Sequence, residues 1–182
     1  MLANAKHARH AKRRMIDASS LTFRTIDPDA DRSFVLAAYR GTHRASFGDD
    51  RSCSAKTYLP WLQSRIEEFP DGHLLAFLGK RCIGQMELQV PYGLTTGYVN
   101  LYYVAPTFRG RGFGRAMHTR AEEYFRSWQA DRIELDVSAT NTRALGFYRH
   151  LGYQLVRMNG RLWRMVRSLD HSSMLAENQD AP

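Results

Sequence analysis

The stretch VAPTFRGRGFGR, residues 104–115, lies between a run rich in β-branched and aromatic residues, 98–104, and a helical pattern of apolar residues. A loop between a strand and a helix leaves the first N–H groups of the helix without backbone partners. The three glycines let the backbone approach a ligand closely, and the positive end of the helix attracts an anion. The stretch therefore predicts a diphosphate-binding loop, and its arginines add positive charge around that ligand.

The spacing of these glycines argues against two common nucleotide-binding loops. The glycines alternate, at 110, 112 and 114, so the stretch matches neither the G-x-x-x-x-G-K-S/T pattern nor G-x-G-x-x-G. No Lys-Ser or Lys-Thr follows that could hold the magnesium ion of a nucleotide. A tight strand-to-helix turn that only packs well is the alternative that the loop residues by themselves leave open.

Apolar spacing and turn residues outward from the loop predict the remaining elements. A helix at 112–129, with a strand at 98–104 before it and one at 132–138 after it, forms a βαβ unit, which needs a parallel strand pair. Further strands are predicted at 21–26, 73–78, 82–90, 153–157 and 162–166, and further helices between Asp29 and Arg44, at 54–68 and at 142–151. The pattern predicts an α/β (α+β) fold with a mixed central sheet of about seven strands and flanking helices.

Composition indicates one globular domain. The chain has 182 residues, of which 43% are hydrophobic and 12% aromatic, so it can build a packed core. We expect a basic flexible tail over 1–20, a folded domain over 21–167 and a polar tail over 168–182. The formal net charge of +8 suits an anionic ligand as well as a nucleic-acid surface, and does not choose between them.

The cysteines and the hydropathy of the sequence indicate in which cellular compartment the protein is expected. Cys53 and Cys82 have no partner Cys and His residues at metal-ligand spacing, so neither a metal site nor a disulfide is expected. No run of about 18 apolar residues occurs, and no apolar stretch of a signal peptide follows the basic N-terminus. We expect a cytoplasmic protein that does not contact a membrane.

Two sequence blocks point to a family. Arg109-x-x-Gly112-x-Gly114, directly after Val104-Ala105-Pro106, resembles the acetyl-coenzyme A motif of the GNAT superfamily of N-acetyltransferases. A block at 141–153, Asn-x-x-Ala-x-x-Phe-Tyr-x-x-x-Gly-Tyr, is similar to the second signature of that family. The resemblance covers about residues 21–167. It implies the GNAT fold, in which the strands at 98–104 and 132–138 splay apart to admit the cofactor.

The resemblance also implies a set of cofactor-binding residues. Pyrophosphate binding, mainly through backbone N–H groups, is carried onto Arg109, Gly110, Arg111, Gly112, Phe113, Gly114 and Arg115. Pantetheine contacts are carried onto the backbone of Leu101, Tyr102, Tyr103 and Val104 and onto the Asn141 side chain. A cap on the following helix is the alternative for Asn141, and the two roles are compatible.

Two residues are candidates for proton transfer. Tyr148 matches the position where the family places a tyrosine near the coenzyme A sulfur as general acid for the leaving thiolate, although it lies on the apolar side of its helix and can equally be a packed core residue. Family members often use a glutamate or a water chain as general base. Glu87, flanked by Gln85 and Gln89 on one strand face, is the candidate base, and a hydrogen-bonded strand face is its alternative.

Other polar and aromatic residues receive weaker assignments. Some can orient a water molecule or the acceptor, or line an acceptor pocket, and they can equally be core aromatics: Asn100, Tyr102, Tyr103, Tyr39, Tyr58, Trp61 and Tyr92. His118, a lone histidine on a mixed helix face, is left unassigned.

Three function classes follow from the sequence. The first is an acetyl-coenzyme A-dependent N-acetyltransferase in which a neutral amine attacks the thioester directly, without a metal. The second is a GNAT-fold module that senses acyl-coenzyme A without turnover. The third, a nucleic-acid-binding protein, is disfavoured because basic and aromatic residues do not interleave along a strand. The resemblance also raises the possibility of a homodimer through the terminal strands, whereas the amine acceptor is not identified.

Overall fold

The structure, a computed structural model, describes residues 20–169. Most of the two predicted tails, 1–20 and 168–182, lies outside the described residues. The C-terminal boundary of the domain needs a correction, because the last strand ends at Ser168 and Leu169 is buried. The Leu169 backbone N–H donates to the Asp131 carbonyl at 2.8 Å. The folded part therefore continues past the predicted end at 167.

In the described part of the chain, seven strands and four α-helices follow one another in the predicted order. The strands are β1 (Leu21–Thr25), β2 (His73–Leu78), β3 (Arg81–Gln89), β4 (Thr96–Val104), β5 (Arg132–Ser138), β6 (Gln154–Asn159) and β7 (Leu162–Ser168). The helices are α1 (Arg32–Phe47), α2 (Ala55–Glu68), α3 (Phe113–Ser127) and α4 (Thr142–His150). The predicted fold class is confirmed, with element ends that differ by a few residues.

The seven strands form one mixed sheet in the order β1-β2-β3-β4-β5-β7-β6. Within residues 20–169, only β4 and β5 pair in parallel, and the connection between them is the predicted crossover through α3. The other neighbours pair antiparallel. The sheet therefore has a single parallel seam near its centre, with the glycine-rich loop at the carboxyl end of one seam strand.

Helices cover both faces of the sheet. On one face, α3 presents a stripe at steps of three and four that includes Met117, Ala121 and Phe125, and α4 contributes Leu145 and Tyr148 to the same core cluster. On the other face, α1 and α2 pack Val35, Leu59 and Leu62 into a second core cluster. Periodic apolar side chains thus fix which side of each helix faces the sheet.

The parallel seam opens halfway along its length. Pairing joins Thr96–Val99 to Arg132–Leu135 and goes no further. In the antiparallel pairing with β3, Glu87 lies opposite Leu101 and Leu88 opposite Val99, so Asn100 is an extra residue in β4. Such a bulge bends a strand and increases its local twist. The splay of the two central strands, expected from the family resemblance, is therefore present, and β4 beyond Asn100 has one free edge.

Gly97 of β4 lies where α3 packs closely on the sheet. A Cβ atom placed on Gly97 meets the buried Phe125 ring at 2.3 Å. We expect Gly97→Ala to lower the free energy of unfolding by about 1–3 kcal/mol, because the ring has no free space to move into. Urea denaturation followed by circular dichroism measures the change.

The matched control is Gly146→Ala in α4, where an added Cβ has nothing within 4 Å. That change should be neutral or stabilise by up to about 1 kcal/mol, since alanine favours a helix. Equal stability of the two variants would contradict the packing argument.

Candidate functional site

A cavity of about 370 Å³ opens where the two central strands part. Four elements form its wall: the middle of α1, the end of β4, the glycine-rich loop and α4. Tyr102 and Tyr103 both line it, although Tyr102 contacts His118 of α3 and Tyr103 contacts Phe34 of α1. Tyr102 and Tyr103 point to opposite faces of the sheet. They can line one cavity because β5 no longer pairs with the edge of β4 at this point, so the cavity reaches both faces.

The glycine-rich loop adopts a backbone that glycine alone takes easily. Gly110 and Gly112 have φ values of 72° and 86°, in the left-handed region. Gly112 is the residue that precedes α3, and no side chain caps the helix there. The first N–H groups of α3 therefore remain available to a ligand at the cavity.

Most predicted cofactor residues lie at this cavity. Those on its wall are Tyr102, Tyr103, Val104, Arg109, Gly110, Gly112, Gly114, Arg115, Asn141 and Tyr148. Three others have side chains elsewhere. Phe113 packs against Phe108 in the core, Leu101 is buried, and the Arg111 guanidinium lies over the Phe108 ring at 5.8 Å. The buried Phe113 and Leu101 can therefore serve a ligand in the cavity only through their backbone.

Arg109 holds the loop against the strand that precedes it. Its Nε donates to the Val104 carbonyl at 2.7 Å, and its guanidinium lies 5.7 Å from the centre of the Tyr103 ring. The side chain thus ties the loop to the end of β4 while it contributes positive charge to the cavity wall. Arg115 and Arg143 add two more guanidinium groups to the same wall.

Asn141 caps α4, which was one of its two predicted roles. Its Oδ1 accepts a hydrogen bond from the Ala144 backbone N–H at 3.1 Å. Asn141 also lines the cavity, so its amide nitrogen can still donate to a ligand.

Several cavity residues were not found from the sequence. α1 contributes Gly41, Thr42 and Ala45, and α4 contributes Arg143 and His150. The two α4 residues could have been found from the sequence, because positions 143, 147 and 150 lie at helical spacing beside the second family motif. The α1 residues could not, since their place depends on a long-range contact in which Gly41 admits the Tyr103 ring.

Tyr148 lies between the core and the cavity. It is buried, lines the cavity, and packs against Tyr102 with ring centres 6.3 Å apart. Among the described residues, none is hydrogen-bonded to its hydroxyl. Burial raises the pKa of Tyr148, so the phenol is protonated at neutral pH.

Glu87 faces away from the cavity, toward α2. Its Oε1 accepts hydrogen bonds from the Tyr58 hydroxyl at 2.5 Å and from Gln85 Nε2 at 2.7 Å. Burial raises the pKa of Glu87 to about 7, and the two hydrogen bonds oppose that rise. The hydrogen-bonded strand face, the alternative stated from the sequence, is therefore observed. The role of Glu87 as base stays a prediction.

The predicted acceptor aromatics separate into two groups. Tyr39 stacks on Tyr58 with centres 4.1 Å apart, and Trp61 continues the stack at 6.0 Å, all on the Glu87 side of the sheet. Tyr92 is fully exposed in the loop between β3 and β4 and does not line the cavity. The structure therefore gives no support to Tyr92 as part of an acceptor pocket.

Among residues 20–169, no cluster of three or more His, Cys, Asp and Glu side chains could hold a metal ion. None of the helices there is long and apolar enough to cross a membrane.

Within residues 20–169, the parallel seam of a mixed sheet splits beside a glycine-rich helix start, and such a helix start can bind an anion. The model of the Acetyltransferase (GNAT) family matches residues 28–153. The chain belongs to this family.

Similar proteins agree with that membership. Mycothiol acetyltransferase of Beutenbergia cavernae is 37% identical over 101 residues, which are 56% of this chain and 30% of that protein. The match therefore spans less than a third of the length of this relative.

Two solved structures share the fold. The PaiA N-acetyltransferase of Thermoplasma acidophilum, in complex with coenzyme A, has a TM-score of 0.66 and 16% identity over 82% of this chain and 99% of that one. The spermidine N-acetyltransferase of Vibrio cholerae, in complex with coenzyme A and spermine, has a TM-score of 0.63 and 21% identity, over 82% and 96%. At these identities the likeness establishes the fold.

The buried carboxyl group of Glu87 should make the free energy of unfolding depend on pH. Because its pKa is raised from 4.5 to about 7, the folded protein binds this proton more tightly than the unfolded chain. The linked stabilisation is complete below about pH 4.5 and is lost as the pH rises through about 7. Between pH 5 and 8, the free energy of unfolding should fall by on the order of 2 kcal/mol more in the native protein than in Glu87→Gln.

Urea denaturation of both proteins at the two pH values measures this difference. His73, whose pKa burial lowers to about 4, is present in both proteins, so its contribution cancels. Parallel pH dependence of the native protein and Glu87→Gln would show that Glu87 titrates normally.

Proposed function

We propose that the protein is an acetyl-coenzyme A-dependent N-acetyltransferase that transfers the acetyl group to a primary amine by direct attack. The observation that carries the proposal is the single cavity that joins the free edge of β4, the uncapped start of α3 and Tyr148. A strand edge, an anion site and a phenol in one cavity match the three parts of a thioester cofactor: pantetheine amides, pyrophosphate and sulfur.

The pyrophosphate is assigned to the start of α3. Phosphate oxygens suit the N–H groups and the positive end of a helix, and Arg109, Arg115 and Arg143 line the same cavity. The amide groups of pantetheine are assigned to the free edge of β4, where backbone groups beyond Asn100 have no partner from β5.

In the reaction, the amine nitrogen bonds to the acetyl carbon as the carbon–sulfur bond breaks. The amine loses a proton and the departing thiolate gains one. We assign Tyr148 as the donor to the sulfur, because its hydroxyl is protonated and has no partner among the described residues. The desolvation that raises the pKa of this phenol also raises the pKa of a thiol in the cavity, so the two proton affinities move in the same direction.

Glu87 is assigned as the base on the acceptor side of the sheet. A pKa near 7 leaves this carboxyl group partly ionised at neutral pH, which suits a proton acceptor. Glu87 does not line the cavity, so the proton has to reach it through a water molecule or through the Tyr58 hydroxyl. Unchanged turnover of Glu87→Gln would exclude this assignment.

A second candidate function is a module that binds acyl-coenzyme A without turnover. One observation favours it: the wall of the cavity contains no aspartate or glutamate, and Glu87 is engaged by Tyr58 and Gln85. The two candidates make the same demand on cofactor binding and differ in whether an amine is consumed.

Three further properties stay proposals. The acceptor belongs to the amines, as does the spermine in the Vibrio cholerae complex, but the chain shares only the fold with that protein. A homodimer through the terminal strands is compatible with the exposure of Val156 and Met158 on β6, the edge strand of the sheet. A cytoplasmic location is also part of the proposal.

Calorimetric titration of acetyl-coenzyme A, followed by thiol release across a panel of amines, tests the proposed function. Micromolar binding with amine-dependent release establishes the transferase. Binding without release on any amine favours the binding module, and no binding at all would overturn the assignment of the cavity.

Arg143 provides a test of the cofactor site with a matched control. Arg143 lines the cavity, whereas Arg149, on the same helix, is exposed and does not. We expect Arg143→Ala to weaken coenzyme A binding by roughly three- to tenfold, and more at low salt, because a phosphate loses a charged donor. Arg149→Ala should bind as the native protein does. Equal losses of coenzyme A affinity in both variants would show that Arg143 acts only through the net charge of the protein.

Tyr148→Phe tests the proposed acid. Its turnover number should fall by at least about 10²-fold, whereas coenzyme A affinity should change little, because only the hydroxyl is removed. Tyr153→Phe is the control, since the Tyr153 hydroxyl is buried without a partner. Native turnover in Tyr148→Phe would show that Tyr148 does not donate the proton to the thiolate.

A further inference from the structure

His118 is buried beside the cavity, and the proposed mechanism does not use it. It lies on α3 about one turn after the glycine-rich loop and is 2% exposed. Its Nδ1 lies 3.3 Å from the Tyr102 hydroxyl, and its Nε2 lies 3.0 Å from Glu122 Oε1. A buried imidazole with a partner on each nitrogen has a defined orientation.

Glu122 holds the Nε2 side of the ring. Its carboxylate pairs with His118, Arg126 and Arg167, and the contacts with His118, first, and Arg167 lower the pKa of Glu122 to about 2. An ionised carboxylate only accepts, so His118 Nε2 carries the hydrogen that it donates to Glu122. Nδ1 lies within hydrogen-bond distance of the Tyr102 hydroxyl, so the imidazole joins Glu122 to Tyr102 whichever of the two groups donates. Arg167 Nη1, 3.0 Å from Nε2, directs its hydrogen to Glu122.

The histidine also contacts two of the three aromatic rings that pack against Tyr148. The His118 ring lies 6.1 Å from the Tyr102 ring and 5.6 Å from the Tyr153 ring, both edge-on. These two rings flank Tyr148, at 6.3 and 5.5 Å. A displacement of Tyr102 or Tyr153 therefore moves the surface against which Tyr148 is packed.

We propose that His118 is a positioning residue: held by Glu122 on Nε2, it binds the Tyr102 hydroxyl on Nδ1 and so sets the orientation of Tyr148 in the cavity. The inference rests on the proposed role of Tyr148 in the transfer. It gives the ion pairs between α3 and β7 an influence on the reaction, although none of those groups lines the cavity.

Two amide substitutions separate the two sides of the imidazole. His118→Asn places an amide oxygen near the position of Nδ1 and keeps the contact with Tyr102. His118→Gln reaches toward Glu122 and loses Tyr102. We expect the turnover number to stay within about threefold in His118→Asn and to fall at least about tenfold in His118→Gln, with coenzyme A affinity unchanged in both.

A double-mutant cycle with Tyr102→Phe adds a readout that a purely structural histidine would not change. Tyr102→Phe should show the same loss of turnover as His118→Gln, and the two changes together should cost no more than either one, because they break the same bond. Equal losses in the asparagine and glutamine variants, native turnover in His118→Gln, or additive effects in the cycle would overturn the proposal. Thermal melts verify that each variant is folded, and Tyr102→Phe carries the test if the histidine variants do not fold.

The NMR signals of the Tyr148 ring test the positioning without catalysis. They should shift in His118→Gln and in Tyr102→Phe and remain native in His118→Asn. If no amine is acetylated, the proposed function fails while these signals still decide the positioning role. Native Tyr148 signals in all three variants would refute it.

Discussion

The end of hydrogen bonding between β4 and β5 is the constraint on which the site depends. Every buried backbone group needs a partner, so two strands that part must either close on other strands or leave groups for a ligand. β5 continues to pair with β7 along its full length, from Arg132 to Ser138, whereas β4 keeps only β3. The free edge of β4 is the consequence, and the cavity follows from it.

A polar network holds the point where the strands part. Asp136 is the first residue of β5 beyond its pairing with β4, and it accepts a hydrogen bond from the Tyr98 hydroxyl at 2.9 Å. Arg164 of β7 binds the same carboxylate through Nε and Nη2, and binds Glu134 at 2.6 Å. These side chains tie three strands together where the backbone ladder ends. Each strand therefore keeps its direction through the opening without a backbone bond across it.

Local features of the sequence predicted much of this structure. The glycine spacing and the apolar helix after it located the loop, and the two strands predicted at 153–157 and 162–166 form the last hairpin. The cap on α4 was one of two roles considered for Asn141, and the geometry shows it. Each of these predictions depends on residues within about one helical turn of one another, where backbone chemistry decides the conformation.

Contacts between residues distant in the sequence were not predicted. The place of Gly41 in the cavity wall depends on the Tyr103 ring, which α1 meets only after the sheet has formed. The partners of Glu87 come from α2 and from its own strand, so its burial was not visible in the alternation of β3. His118 was left unassigned for the same reason, since its three polar neighbours come from β4, α3 and β7. Leu169 was placed in a polar tail although it packs into the core.

The uncapped start of α3 would couple the order of the helix to the proposed cofactor. With Gly112 in front of it, no side chain shields the first N–H groups of the helix from exchange with solvent. An anion bound there serves as the missing cap and stabilises the folded state by mass action, in proportion to the logarithm of its concentration. Amide hydrogen exchange in the first turn of α3 then becomes a measure of how much cofactor the surroundings supply.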